Sequence, residues 1–265
     1  YSISVEKHDY INNIFMGLYY ECGRGLVNTF LAKANAEMPA CVFLSGPSLS
    51  EVNQSDFVDV GVYKVGINTT YPKIKPDLWV GLDYPKCFNP NIWKEPFMKI
   101  LRYPYSMHEI NGKRVRDLPF VFFASLDKEF TKNPALEAFR RRSHKVNFIW
   151  SKNTFATSLH ILVWMGFKQI YLFGADFGGE SDYFDDSPIY RPFNHDPASS
   201  SGSISKKQHA LNRRLYNQQL VFLKNFCEYG QRIGLEVTSC TKSSPANSFL
   251  EYKSLQELTD QYKLK

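Results

Sequence analysis

Cys41-Val42-Phe43-Leu44-Ser45-Gly46-Pro47-Ser48-Leu49 takes a short apolar run of β-forming residues straight into Ser-Gly-Pro-Ser. Ser50 and Glu51 then open a polar segment. The pattern predicts a buried strand, a tight turn and the start of a helix. Gly46 has no Cβ, so backbone there can approach a ligand closely. Pro47 suits the first turn of a helix, where its missing N–H costs nothing. Ser48 offers a hydroxyl and an N–H, and the free N–H groups of such a turn favour phosphate. By itself the stretch fits two readings, a phosphate-contacting loop and an ordinary strand-to-helix turn.

Two further strands follow the same plan. Residues 60–68 form an apolar run ending at Asn68, and residues 77–83 lead from Pro76-Asp77 into a strand that finishes on Asp83. Three successive strands thus end in polar residues: Ser45, Asn68 and Asp83. In open parallel sheets ligands bind outside the carboxyl ends of the strands, so this agreement marks a site. Further on, residues 120–124 and 146–150 read as strands, and Asn153 or Thr154 opens a helix that closes at Gly166. The clearest strand is Gln169-Ile170-Tyr171-Leu172-Phe173, running into Gly174-Ala175-Asp176. A long helix is expected over 207–233 and a last strand over 235–239, followed by the turn Ser243-Ser244-Pro245-Ala246-Asn247-Ser248.

Strands alternating with helices predict an α/β fold, a Rossmann-like doubly wound and mostly parallel sheet. Residues 1–39 are expected as an N-terminal helical segment, from the spacing of Ile11, Ile14, Phe15, Leu18, Leu26, Phe30 and Leu31. Residues 40–250 make the nucleotide-binding domain, and 251–265 a C-terminal helix. The weakly periodic stretch 86–118 is read as loop and short helix. Residues 178–206 are a lid-like insertion, because a loop of that length in a compact domain is usually functional or disordered.

With 265 residues, one large domain or one domain with an inserted lobe is expected. The net charge of +6 permits an acidic partner, such as nucleic acid or a phosphorylated substrate, and a solvated basic surface fits equally. The run Arg140-Arg141-Arg142-Ser143-His144-Lys145 has the same two readings, a solvated face or a phosphate patch. Five scattered cysteines without CxxC spacing fit a reducing, cytoplasmic setting. No apolar run reaches the length of a membrane span, and no secretory signal is visible.

Gly46, Pro47, Ser48, Asn68, Asp83, Asn153, Thr154 and Asp176 fall at strand ends or helix starts that such a sheet would gather. Their amides, hydroxyls and loop N–H groups suit ribose and phosphate. GxGxxG and GxxxxGK[ST] are both missing, which weakens a dinucleotide or P-loop reading. Asp83 and Asp176 could ligate Mg²⁺ between phosphates or bind ribose hydroxyls, and Asp176 could instead cap the following turn. Asp182, Asp185 and Asp186 read as a solvated acidic loop, and no dedicated metal site is expected. Glycosyl or phosphoryl transfer needs a base near neutral pH. His160 sits among apolar residues and reads as core. His209, then His195, are the candidates for the base, on or just after the long loop.

The Gly46-Pro47-Ser48-Leu49 turn, the Asn68 strand end and the stretch Ile170-Tyr171-Leu172-Phe173-Gly174-Ala175-Asp176-Phe177 resemble the small Rossmann-type bacterial sialyltransferases. Pro76-Asp77-Leu78-Trp79-Val80-Gly81-Leu82-Asp83 resembles the motility-associated (Maf) flagellin-glycosylation proteins and archaeal 6-hydroxymethylpterin diphosphokinases. The likeness runs over about residues 40–250. The sialyltransferase resemblance implies that Gly46, Pro47, Ser48 and Asn68 hold the CMP part of a CMP-sugar. It implies that Asn153-Thr154-Phe155 stands for that family's Thr-Ser-Gly, with the Gly lost, and that Tyr183 contacts the donor phosphate. That family's catalytic His precedes the helix after the lid; His209 lies nearest, about two residues out of place. The turn at 243–249 resembles the turn after that family's last strand.

The expected function is a glycosyltransferase using a nucleotide-sugar donor, CMP- or UDP-linked. The acceptor is a hydroxyl on a glycan, a protein or DNA. No cofactor is obligatory, and Mg²⁺ enters if the donor is UDP-linked or if the chain is a diphosphokinase. The alternatives are that ATP- and Mg²⁺-dependent diphosphokinase and a non-catalytic nucleotide- or nucleic-acid-binding module.

Overall fold

The computed structural model describes residues 15–21, 26–32, 38–124, 126–127, 133–140, 148–149, 153–178 and 206–264. In chain order the strands are β1 (Phe15–Glu21), β2 (Leu26–Ala32), β3 (Ala40–Phe43), β4 (Tyr63–Ile67) and β5 (Leu78–Val80). Then come β6 (Met98–Arg102), β7 (Glu109–Ile110), β8 (Lys113–Arg114), β9 (Val121–Ala124) and β10 (Leu126–Asp127). The last four are β11 (Phe148–Ile149), β12 (Gln169–Phe173), β13 (Glu236–Ser239) and β14 (Glu251–Tyr252). The helices are α1 (Pro134–Arg140), α2 (Thr154–Met165), α3 (Lys206–Gln231) and α4 (Leu255–Gln261).

Ten of the described strands make the main sheet, in the order β14-β13-β12-β3-β4-β5-β6-β9-β1-β2. The eight from β14 to β9 are all parallel. The hairpin β1–β2 closes one edge antiparallel to β9, with Tyr19 opposite Phe123. This is the doubly wound α/β fold that the alternation of elements predicts.

Buried on both faces, the central strands carry nearly unbroken apolar runs. Along β3, Ala40 and Val42 face the core shared with α1, α2 and α3, while Cys41 and Phe43 pack with Tyr171, Phe173 and Leu258 of α4. Every residue of α2 is buried. Asn153 caps it by accepting from the Ala156 N–H at 2.7 Å, and Gly166 ends it at φ 95°, a left-handed position suited to glycine. The crossovers between β3 and β6 hold no α-helix. They are built of 3₁₀ turns, the first at Pro47–Glu51, where the sequence predicts the start of a helix.

Two further expectations are corrected. The N-terminal segment is not helical where it is described: Phe15–Glu21 and Leu26–Ala32 are the hairpin strands. Their aromatic and β-branched content (Phe15, Tyr19, Tyr20, Val27, Thr29, Phe30) and the free edge of β9 outweigh a loose helical spacing. Residues 86–118 are not merely loop and short helix, because Met98–Arg102 is a central strand between β5 and β9. Lys99 disguises it by interrupting the apolar run.

Lys99 is fully buried. Its Nζ donates to the carbonyls of Glu95 at 2.6 Å and Phe97 at 2.9 Å and lies 4.8 Å from the Phe97 ring centre. Burial lowers its amino group to about 8, partly offset by the Glu95 carboxylate. In the unfolded chain a lysine titrates near about 10.4. Between these values the unfolded state binds the extra proton, so stability rises with pH across that window and is flat below it. We predict that wild type gains on the order of 1–3 kcal/mol over Lys99→Met between pH 7.5 and 10. Urea unfolding at both pH values checks this, and a constant difference between the two proteins would contradict it.

Candidate nucleotide site at the carboxyl edge

The chain crosses over at β3. From there β4, β5 and β6 step one way, while β12, β13 and β14 lie on the other side. A crevice at such a reversal is where doubly wound sheets bind ligands. Along the carboxyl edge the strand ends present Thr241 after β13, Asp176 after β12, Ser45 after β3, Asn68 after β4, Asp83 after β5 and Arg102 of β6.

The turns after β3 and β12 are fastened together. Leu44 N–H donates to Phe173 O at 2.8 Å and Gly46 N–H to Gly174 O at 3.1 Å. Asp176 Oδ2 accepts from both the N–H of Ser48 at 3.1 Å and its hydroxyl at 2.8 Å. A Cβ on Gly46 would collide with Asp176 Oδ2 and Gly174 O, and one on Gly174 with Leu44 O. Gly46 is therefore required by the contact between the two turns. Of the two roles foreseen for Asp176, ligand contact and capping, the structure shows a cap, but on the turn after β3 instead of its own.

This clamp changes the reading of the turn. Pro47 has no N–H, Leu49 N–H is bonded to Gly46 O at 3.0 Å, and the N–H groups of Gly46 and Ser48 are also taken. A carboxylate stands beside them. These spent donors do not form the phosphate cradle that the sequence suggested. The clamped turn forms a wall, and Asp176 Oδ1 takes no part in the contact with Ser48.

Asn68 sits next to this wall. It has φ 51°, in the left-handed region that asparagine tolerates better than most residues. Its carbonyl accepts from Trp79 Nε1 at 2.8 Å, which anchors the backbone. Its Oδ1 is buried with no hydrogen-bond partner among the described residues, and so are the hydroxyls of Thr69 and Thr70. An unsatisfied buried polar group costs about 1–3 kcal/mol, so a ligand donor or water at Asn68 Oδ1 recovers that cost.

Asn153 spends its side chain on the cap of α2, and Thr154 is buried. The helix start still lies at the site, because Phe155 packs on Phe177, just past Asp176, with ring centres 5.6 Å apart. The turn after β13 supports Ala175 between Gly174 and Asp176. Thr241 Oγ1 accepts from Ala175 N–H at 3.0 Å, and Ser244 Oγ donates to Ala175 O at 2.6 Å. His160 is a core residue whose Nδ1 accepts from Ile149 N–H at 3.1 Å.

Asp83 is exposed at the far side of the edge. Its carboxyl is nonetheless raised by the surrounding protein, an effect that the Arg102 guanidinium opposes. Three strand spacings of about 4.8 Å separate the strands that carry Asp83 and Asp176, roughly 14 Å in all. One Mg²⁺ at about 2.1 Å from its ligands does not bridge strands so far apart. Among the described residues no group of three or more His, Cys, Asp or Glu could hold a metal ion.

Tyr183, His195 and the acidic cluster Asp182, Asp185 and Asp186 lie outside the described residues, as do residues 141–145 of the basic run. His209 falls in the first turn of α3, where only the backbone is described. Sequence reasoning missed Arg102, Tyr105 and His108, because β6 went unrecognised. Recognising β6 would have placed Arg102 on the edge. Among the described residues no helix is long and apolar enough to cross a membrane.

No protein-family model matches the sequence. No curated protein matches it either. Among solved structures, similarity is found to the sialyltransferase CstII from Campylobacter jejuni, in complex with a substrate analogue, cytidine-5'-monophosphate. The TM-score is 0.46 at 11% identity, over 84% of this chain and 88% of that one. The monofunctional α-2,3-sialyltransferase Cst-I from Campylobacter jejuni gives 0.45 at 12% identity, over 84% of this chain and 83% of that one. Likeness this loose says nothing about what this chain binds.

The clamp yields a prediction. Gly46→Ala forces the two turns apart and destabilises the protein by roughly 1–3 kcal/mol. Ser48→Ala and Asp176→Ala each cost about 1 kcal/mol, and together they cost less than the sum, because both break the same hydroxyl contact. Urea denaturation of the single and double variants checks this. Strict additivity would show that the contact is not made.

Proposed function

We propose that this chain is a glycosyltransferase that uses a CMP-sugar donor. The observation that carries the proposal is the unpartnered Asn68 Oδ1, buried beside the clamped turn at the reversal of strand order. An acceptor in that position takes an N–H donor, such as the exocyclic amine of cytosine, and the Gly46-Pro47-Ser48 wall lies against the nucleoside. Asp176 Oδ1 is the acceptor for a ribose hydroxyl. The resemblance of Gly46, Pro47, Ser48 and Asn68 to CMP-holding residues of the small bacterial sialyltransferases supports the same assignment.

The phosphate lies at the start of α2, which the Phe155–Phe177 contact sets at the end of β12. The first N–H groups of that helix and its dipole favour a negative charge, and they stabilise the phosphate as it leaves. Tyr183 is the proposed side-chain contact to the phosphate, and Asp83 lies on the sugar side. The acceptor is a hydroxyl, on a glycan, a protein or DNA. No metal is needed, since helix and side-chain donors carry the charge.

The diphosphokinase rival needs Asp83 and Asp176 around one ion, and the spacing of their strands speaks against it. A non-catalytic nucleotide-binding module would bind CMP without turnover. A ligand panel with turnover assays separates the three. CMP at a hundred times its Kd adds about 2.7 kcal/mol, a rise in melting temperature of roughly 5 °C or more. We expect that shift with CMP, smaller ones with UDP, GDP and ATP, and CMP release from CMP-N-acetylneuraminate that EDTA leaves intact. A shift with ATP and Mg²⁺ alone, or none with CMP, would overturn the proposal.

A further inference from the structure

Beyond Asp83 the carboxyl edge carries a second group of side chains, from the segments after β5 and β6. Tyr84, Tyr105 and His108 pack mutually edge to face. The ring centres of Tyr84 and Tyr105 are 6.0 Å apart, those of Tyr84 and His108 5.1 Å, and those of Tyr105 and His108 5.4 Å. Arg102, the last residue of β6, holds its guanidinium 5.4 Å from the Tyr105 ring centre, with Nη1 3.5 Å from the Tyr105 hydroxyl. All four side chains are half-buried.

The backbone beneath them is tied down. His108 N–H donates to Tyr105 O at 3.1 Å, Val115 N–H to His108 O at 2.8 Å and Arg116 N–H to Ser106 O at 3.0 Å. The imidazole is therefore fixed by ring packing and by its backbone. No hydrogen bond from the described residues reaches its nitrogens. His160 is the contrast, its Nδ1 occupied by Ile149 N–H.

Place also favours this group. β5 lies two strand spacings from β3, about 10 Å, and β6 one further. With the nucleoside at β3 and β4, the donor sugar lies along the edge. Towards β13 the hydroxyls of Thr241 and Ser244 are spent on Ala175. Towards β6 the edge offers aromatic rings, a carboxylate, a guanidinium and an imidazole, the mixture that a sugar hydroxyl and a sugar face require.

We infer that His108 is the catalytic base of the transfer, in an acceptor subsite walled by Tyr84 and Tyr105. The inference rests on the glycosyltransferase reading. The acceptor O–H gives its proton to an imidazole nitrogen as its oxygen bonds to the anomeric carbon of the donor sugar. The bond from that carbon to the phosphate oxygen breaks, and its electron pair leaves with CMP. Tyr84 and Tyr105 hold the imidazole plane and offer their faces to the acceptor ring.

The test uses His108→Ala and His108→Phe, the second retaining a ring between the two tyrosines. CMP release from CMP-N-acetylneuraminate is measured with water and with lactose as acceptors, beside His195→Ala and His209→Ala. Loss of a positioned base is expected to lower kcat by 10²–10⁴-fold in both His108 variants, with the CMP-induced thermal shift unchanged. Added imidazole should restore part of the rate to His108→Ala, where a gap is left, and none to His108→Phe. Variants of His108 within threefold of wild type, or losses at His195 or His209 instead, would overturn the assignment and leave the donor reading standing. Wild-type protein that binds no CMP and releases none from the donor would overturn both.

Discussion

Asp176 Oδ2 takes both the N–H and the hydroxyl of Ser48, and this contact joins the turn after β3 to the turn after β12. The chain reverses its direction of sheet building between these two strands, so the contact closes the floor of the crevice. Gly46 and Gly174 have to be glycines for the turns to come this near. The turn after β13 holds Ala175 from the other side, through Thr241 and Ser244. The rest of the proposed site is arranged around this fixed wall.

The same contact divides the site chemically. A turn whose N–H groups are spent, with a carboxylate beside it, repels phosphate and accepts hydroxyls. The start of α2 does the reverse through the positive end of its dipole, although Asn153 already takes the Ala156 N–H there. In the proposed site a nucleoside monophosphate would fit this polarity one way round, nucleoside against the clamped turn and phosphate towards the helix. Asn68 adds an acceptor left unsatisfied in a buried position, which favours a ligand that brings a donor.

Much of the sheet could be read from the sequence, because β3 and β12 are buried on both faces and so appear as plain apolar runs. α2 was legible for a local reason, with Asn153 at one end and Gly166 at the other. β6 was hidden by Lys99, a charged residue at a core position whose two carbonyl partners, Glu95 and Phe97, belong to the segment just before the strand. The hairpin β1–β2 was hidden because its spacing also suits a helix, and the choice is made by an edge of β9 a hundred residues away in the chain. The polar residues at the strand ends were legible in the sequence, but their contacts were not. The partner of Ser48 lies 128 residues along the chain, and neither that contact nor the orphaned Asn68 acceptor leaves a local trace. Tyr105 and His108 went unnoticed for a simpler reason, since their position on the edge depends on a strand that the sequence disguises.

We propose that the crevice beside the Asp176–Ser48 contact holds CMP in one fixed orientation. A crystal structure of the protein grown with CMP tests it most directly. The expected result is cytosine with its amine on Asn68 Oδ1, a ribose hydroxyl on Asp176 Oδ1 and the phosphate at the first turn of α2. CMP bound with its phosphate on the Gly46-Pro47-Ser48 turn, or bound away from this crevice, would contradict it.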